Sequence, residues 1–108
     1  MWADYQKERH GYETIEVEGG FICFDVRPPN ASIEEFYVRP DLRGGLLPKR
    51  LADQVFKVAR SKGAKVMWAR VTPGIEGAEH ALRTNLHYGF KLAGLRGNDI
   101  LLAKEIGD

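Results

Sequence analysis

The 108-residue chain carries one cysteine, Cys23, and so cannot close a disulfide within itself. That cysteine lies in the apolar run 20–24 with no histidine or cation beside it, and reads as a small buried hydrophobe. Long hydrophobic runs are missing as well. None approaches the ~18 apolar residues of a membrane span, and residues 1–10 are charged and lack the apolar centre of a signal peptide. A cytoplasmic, reducing compartment is therefore expected. An excess of one charge is also absent: 16 Lys and Arg stand against 15 Asp and Glu, a formal +1. Proteins that wrap nucleic acid are usually strongly basic, so that class is disfavoured, although residues 39–50 form a local basic patch. Repeats, linkers and low-complexity segments are lacking too, and no metal site is expected.

What remains is ample for one domain over residues 1–108, with 44% hydrophobic and 29% charged residues. Residues 1–12 read as a short N-terminal helix or arm, too brief to be stable without docking. Residues 13–106 read as the core. Polar and apolar residues alternate over 14–18, the pattern of a half-buried strand. Gly19-Gly20 is a two-residue hairpin signal, 21–26 the returning strand, Pro28-Pro29-Asn30 a loop and 32–38 a third strand. A helix follows that places Leu47, Leu51, Val55, Val58 and Ala59 on one stripe and Lys49, Arg50, Asp53, Lys57 and Arg60 outside; Gly63 stops it. Residues 65–71 are nearly continuous in apolar character, which predicts a central strand with Trp68 in the core. A second helix is expected over about 78–88, then a closing hairpin of 90–95 and 99–104 around Arg96-Gly97-Asn98.

The most informative segment is 35–48, where a strand runs through a basic turn with Gly44 and Gly45 into the first long helix. N–H groups at a helix start lack intrahelical partners, and the helix dipole adds positive character there. Such a mouth suits a phosphate or pyrophosphate, with glycines allowing close approach and φ > 0, and Arg39, Arg43, Lys49 and Arg50 adding charge. The same spacing is also that of an ordinary crossover with solvated arginines.

Val38-x-Pro40-x-x-Arg43-Gly44 followed by a helix resembles the cofactor motif of the GNAT superfamily of N-acetyltransferases. Asn85-Leu86-His87-Tyr88-Gly89-Phe90 is similar to that family's helix-to-strand junction, and the resemblance covers roughly residues 13–106. It implies an α+β fold with a mixed, mainly antiparallel sheet, elements in the order βββαβαββ, two crossover helices and a shortened N-terminal side. It implies acetyl-CoA as cosubstrate and an unidentified amine or protein as acceptor. Phe36, Tyr37 and Val38 would meet the pantetheine arm, and Arg43, Gly44, Gly45, Leu46, Leu47 and Lys49 the pyrophosphate. Ile33-Glu34-Glu35 resembles the acidic pair of diamine acetyltransferase-like members, whose first acid is assigned to proton removal or acceptor contact. That role falls on Glu34. Strand alternation predicts that Glu34 and Glu35 do not both line one cleft. The family's tyrosine position is filled by Asn85, which can hydrogen-bond an amide but cannot donate a proton as a phenol does. Tyr88 sits directly before Gly89, on a different face of the helix, and reads first as core packing, although it is kept among the catalytic candidates. His80 and His87 share this helix and read as surface residues.

Two motif positions depart from the family, Leu46 at the second glycine and Pro48 at the final small residue; proline removes one donor from the cradle but is favoured in a helix's first turn. Two functions follow as rivals: an N-acyltransferase, or a GNAT scaffold without proton-transfer groups that contacts a macromolecular partner. The short front segment would leave a sheet edge, which favours pairing with a second copy. Short chains of this style occur among bacteriophage proteins, which suggests a viral source and a host cytoplasm.

Overall fold

The computed structural model describes residues 12–107, so the helix expected over residues 2–10 lies outside the described residues. Six strands and two helices follow in the order β1 (Glu13–Val17), β2 (Gly20–Arg27), β3 (Asn30–Val38), α1 (Leu47–Ser61), β4 (Val66–Val71), α2 (Ala78–His87), β5 (Lys91–Arg96) and β6 (Asp99–Glu105). The sheet runs β1-β2-β3-β4-β6-β5 and every pairing is antiparallel except β3 with β4. This is the α+β arrangement expected from the sequence, with turns displaced by a residue. The first hairpin turns on Glu18-Gly19, and Gly20 is already in β2. A Cβ on Gly20 would stand 2.7 Å from the Tyr37 carbonyl oxygen, so glycine there is a demand of the neighbouring strand.

One face of the sheet carries the core. Ile22, Phe24, Ala31, Val38, Met67, Ala69, Val71 and Leu102 pack against Leu51, Ala52, Val55, Phe56 and Ala59 of α1. Alternation in the strands and the i, i+4 stripe of α1 bring these apolar sets together. The buried stripe is wider than the sequence pattern suggests: Pro48, Ala52 and Phe56 join it, while Val58 is only partly buried. Phe90, just past α2, meets Phe56 with ring centroids 6.1 Å apart and closes the far end.

Two irregularities position the site. The parallel strands β3 and β4 pair only over Asn30↔Val66, Ala31↔Met67 and Ser32↔Trp68, and then diverge as a fork. Within β3, Cys23 opposes Glu35 and Phe24 opposes Ile33, which leaves Glu34 as an extra residue in a β-bulge. Trp68 corrects an expectation. It lies on the face of β4 opposite Met67 and Ala69, is only partly buried, and donates its indole N–H to Asn30 Oδ1 at 3.0 Å. Both described helices lie on one face, and a strand so covered buries alternate residues, so a central place in the sheet did not make Trp68 core.

Candidate active site

The fork opens a cleft of about 700 Å³ between the far half of β3, the turn into α1, the end of β4 and one side of α2. Ile33, Glu34, Glu35, Phe36 and Val38 line it from β3, and Ala69 and Arg70 from β4. The presence of both glutamates departs from simple alternation. The bulge sets Glu34 and Glu35 against the single residue Cys23, and the side-chain period of two is broken at that point. Glu34 Oε1 accepts a 2.7 Å hydrogen bond from Ser32 Oγ.

At the head of the cleft the chain leaves β3, makes a single 3-10 turn over Pro40–Leu42 and reaches α1 through Arg43, Gly44, Gly45 and Leu46. Arg39 N–H donates to Gly19 O at 2.7 Å and ties the turn to the first hairpin. Leu46 is the N-cap of α1 and offers no side-chain acceptor to the first turn. Among the described residues, the N–H groups of Gly44, Leu46, Leu47 and Lys49 therefore have no protein partner. Gly44 and Gly45 do not adopt the positive φ their sequence allowed. Their use is space: a Cβ on Gly44 would meet nothing within 4 Å, and one on Gly45 only Leu42 O at 3.6 Å. Free amides beside unfilled space at a helix start form a concave donor surface fitted to an anion. Pro48 sits buried in the first turn, where its missing N–H breaks no helical bond, and Leu46 is 65% exposed at the rim.

Charge near this mouth is unevenly engaged. Arg39 binds Asp41 through two hydrogen bonds of 2.7 and 3.2 Å. That pairing holds the Asp41 carboxyl below its usual range and raises Arg39. Lys49 pairs with Asp53 at 2.9 Å, a hydrogen bond that raises the lysine. Arg70 faces Asp99 at 3.5 Å, and Arg83 pairs with Glu79. Arg43 differs. Its Nε donates to Val38 O at 2.8 Å, its guanidinium lies 5.9 Å from the Tyr37 ring centre, and no carboxylate pairs with it among the described residues. Of Arg43 and Lys49, the cations of this turn that line the cleft, Arg43 is the one without a carboxylate partner.

The opposite wall is α2, which presents Ala81, Thr84, Asn85 and Tyr88 at i, i+3, i+4 and i+7, flanked by His80, Arg83 and His87. Asn85 Nδ2 donates to Ala81 O at 2.9 Å, which leaves its Oδ1 as the group available to a ligand. Tyr88 packs against the core edge and also lines the cleft. Burial, with Asp53 adding to it, raises the Tyr88 phenol above its usual range against a smaller lowering from Lys49. The phenol therefore keeps its proton through neutral pH and remains a donor.

Of the residues singled out from sequence, Glu34, Phe36, Val38, Arg43, Gly44, Gly45, Leu46, Lys49, Asn85 and Tyr88 come together around the cleft. Tyr37 and Leu47 do not line it: Tyr37 stacks on Phe21 at 5.8 Å on the far side of β3, and Leu47 turns toward the core. Sequence reading did not single out Arg70, Arg83 and Thr84, put Glu35 on the face away from Glu34, and read His80 and His87 as surface residues; all six line the cleft. The period of α2 carried a signal for Arg83 and Thr84, because each falls within one turn of Asn85. Arg70 had none, since its place depends on the fork.

A mixed sheet parted between two parallel strands, with a donor-rich helix start at the opening, defines an α+β fold whose cleft is fitted to an anion. Comparison with known proteins gives the family. The model of the acetyltransferase (GNAT) family matches residues 3–88, and the chain belongs to that family. No curated protein matches it by sequence. Among solved structures, a protein assigned to the GNAT acetyltransferases from Desulfovibrio desulfuricans superposes with a TM-score of 0.77 at 20% identity, covering 94% of this chain and 76% of that one. The PaiA N-acetyltransferase of Thermoplasma acidophilum, in complex with coenzyme A, gives 0.76 at 17% identity over 94% of this chain and 65% of that one. The ribosomal-protein-S18-alanine N-acetyltransferase of Escherichia coli gives 0.70 at 20% identity over 97% and 76%. At these identities the likeness is one of fold.

Proposed function

We propose that the chain is an acyl-CoA-dependent N-acyltransferase that moves an acetyl group from acetyl-CoA to an amine. The observation that carries this reading is the run of unpartnered amides at Gly44, Leu46, Leu47 and Lys49, beside glycines whose Cβ positions are open, leading into the fork. A diphosphate fits that surface, with Arg43 as its charge-assisted partner. The coenzyme A bound in the Thermoplasma relative supports the same class of ligand. The edge of β3 that has left β4, from Phe36 to Val38, offers backbone groups to an extended arm.

When bound, acetyl-CoA supplies an acyl group activated as a thioester. The chain's own residues handle protons and position. Glu34 takes a proton from the acceptor ammonium so that its nitrogen has a free lone pair. Tyr88 holds a phenolic proton that it donates to the departing thiolate, a role the amide of Asn85 cannot fill. Asn85 Oδ1 accepts a hydrogen bond from a ligand N–H. An enzyme using this cosubstrate works inside the cell, and the acceptor approaches Glu34 and Glu35 as a cation.

A second reading, a non-catalytic GNAT scaffold, draws on Asn85 replacing the family's tyrosine and on Leu46 at the rim. Calorimetric titration with acetyl-CoA and desulfo-CoA, followed by thiol release over an amine panel, separates the two. Heat with both ligands and thiol release with at least one amine is the expected result. Absence of heat and of any thermal shift at millimolar ligand would overturn the proposal; binding without release would favour the scaffold.

A further inference from the structure

Glu34 stands in an unusual mechanical position. It is the extra residue of the bulge, without a partner on β2, and it lies beyond the last pair that joins β3 to β4. Among the described residues no cation forms an ion pair with it, and the hydrogen bond from Ser32 is the one polar contact its side chain makes. Ser32 is the opposite case. It is the last residue of β3 paired on both sides, with Asp25 across β2 and Trp68 across β4. A residue fixed in two ladders thus tethers the carboxylate of one fixed in neither. Asp25, across from Ser32, is turned to Arg27 at 2.8 Å and does not compete for the hydroxyl.

We propose that Ser32 is a positioning residue for acyl transfer: its hydroxyl holds Glu34 Oε1 at the root of the fork and leaves Oε2 to receive the acceptor's proton. This rests on the reading of Glu34 as the base. The chemistry favours a neutral donor here. A lysine or arginine would also orient the carboxylate, but it would stabilise the ionised form and weaken it as a proton acceptor. A hydroxyl fixes one oxygen with a modest interaction and leaves basicity on the other. Glutamate has many rotamers, so an untethered carboxylate in an unpaired bulge would sample most of them and spend little time facing the gap.

The test compares wild type, Ser32→Ala, Ser32→Thr, Glu34→Gln and the Ser32→Ala/Glu34→Gln double variant. The acceptors are putrescine, a lysine peptide and an alanyl-terminated peptide, whichever turns over fastest. Ser32→Ala should lower kcat about tenfold with KM for acetyl-CoA unchanged, and Ser32→Thr should recover it to within about threefold. On the Glu34→Gln background, Ser32→Ala should cost nothing further, because the group it orients is no longer a base. Equal losses on both backgrounds, or an unchanged kcat in Ser32→Ala, would overturn the proposal. A crystal structure of Ser32→Ala supplies a readout independent of turnover. Glu34 should leave its wild-type rotamer or spread over several, and an unmoved carboxylate refutes the tether. If wild type binds acetyl-CoA but releases no thiol with any acceptor, the acyltransferase reading fails by itself, and the crystallographic comparison still decides the fate of Ser32.

Discussion

α1 and α2 wall the same cleft but are held very differently. α1 buries Pro48, Leu51, Ala52, Val55, Phe56 and Ala59, whereas no residue of α2 reaches full burial. Leu82 is only half-buried, Leu86 is exposed, and the adjoining strand β5 is exposed along its whole length, with Leu92 and Leu95 at 68% and 75%. The anchored helix carries the donor-rich mouth, and on the proposed function its geometry is set before a ligand arrives. The lightly held helix carries Asn85, Tyr88, His80, Arg83 and His87, and on the proposed function it adjusts to a ligand at little cost. Local stability follows buried apolar contact, so α2 belongs to the low-stability end of the molecule and α1 to the high end.

The largest expected effect sets the helices against each other directly. Leu51→Ala should lower unfolding stability by about 2–4 kcal/mol, and Leu82→Ala by no more than about 1 kcal/mol, read by denaturant titration. Equal losses would erase the contrast. Next, Tyr88→Phe should cut kcat by roughly 10- to 100-fold while leaving CoA affinity nearly unchanged; a loss confined to affinity would make Tyr88 a binding group. Arg43→Ala should weaken CoA binding about tenfold and flatten its salt dependence, because the cleft loses a cation that no carboxylate engages. An unmoved Kd would put the diphosphate elsewhere. A pH titration gives a smaller signal. The Tyr88 phenol is raised in the fold, so its contribution is constant below the ordinary phenol range near 10 and declines as pH climbs from there through the folded value. Wild type should therefore lose stability on that alkaline side, and Tyr88→Phe should lose less. The smallest effect is Lys49→Gln, which should leave the melting temperature unchanged, since the Lys49–Asp53 pair is exposed.

Much of the architecture could be read along the chain. Alternation at residues 14–18, the stripe from Leu47 to Ala59 and the punctuation at Gly19, Gly63 and Gly97 are local signals, and the elements fall where those signals put them. The site was legible where it is made of backbone in sequence order, as from Val38 to Lys49. It was illegible where neighbouring strands decide. Glu35 reached the cleft because β3 gains a residue against β2, Trp68 lost its place in the core because both described helices pack on the other face, and Tyr37 turned away to stack on Phe21. Of the two uses expected of Gly44 and Gly45, positive φ is not taken up, and the space for close approach is left open.

Composition, periodicity and motif by themselves determined that this chain carries a mixed α+β fold with a strand-turn-helix suited to an anion. They could do so because propensity, amphipathic period and helix-end chemistry act over a few neighbouring residues. Only the folded arrangement decided that two parallel strands pair for three residues and then part, that a bulge turns both glutamates to the gap, and that one serine bridges the paired and unpaired halves of β3. Those outcomes depend on register between segments far apart in the chain, a quantity fixed by cross-strand packing and absent from any local stretch of residues.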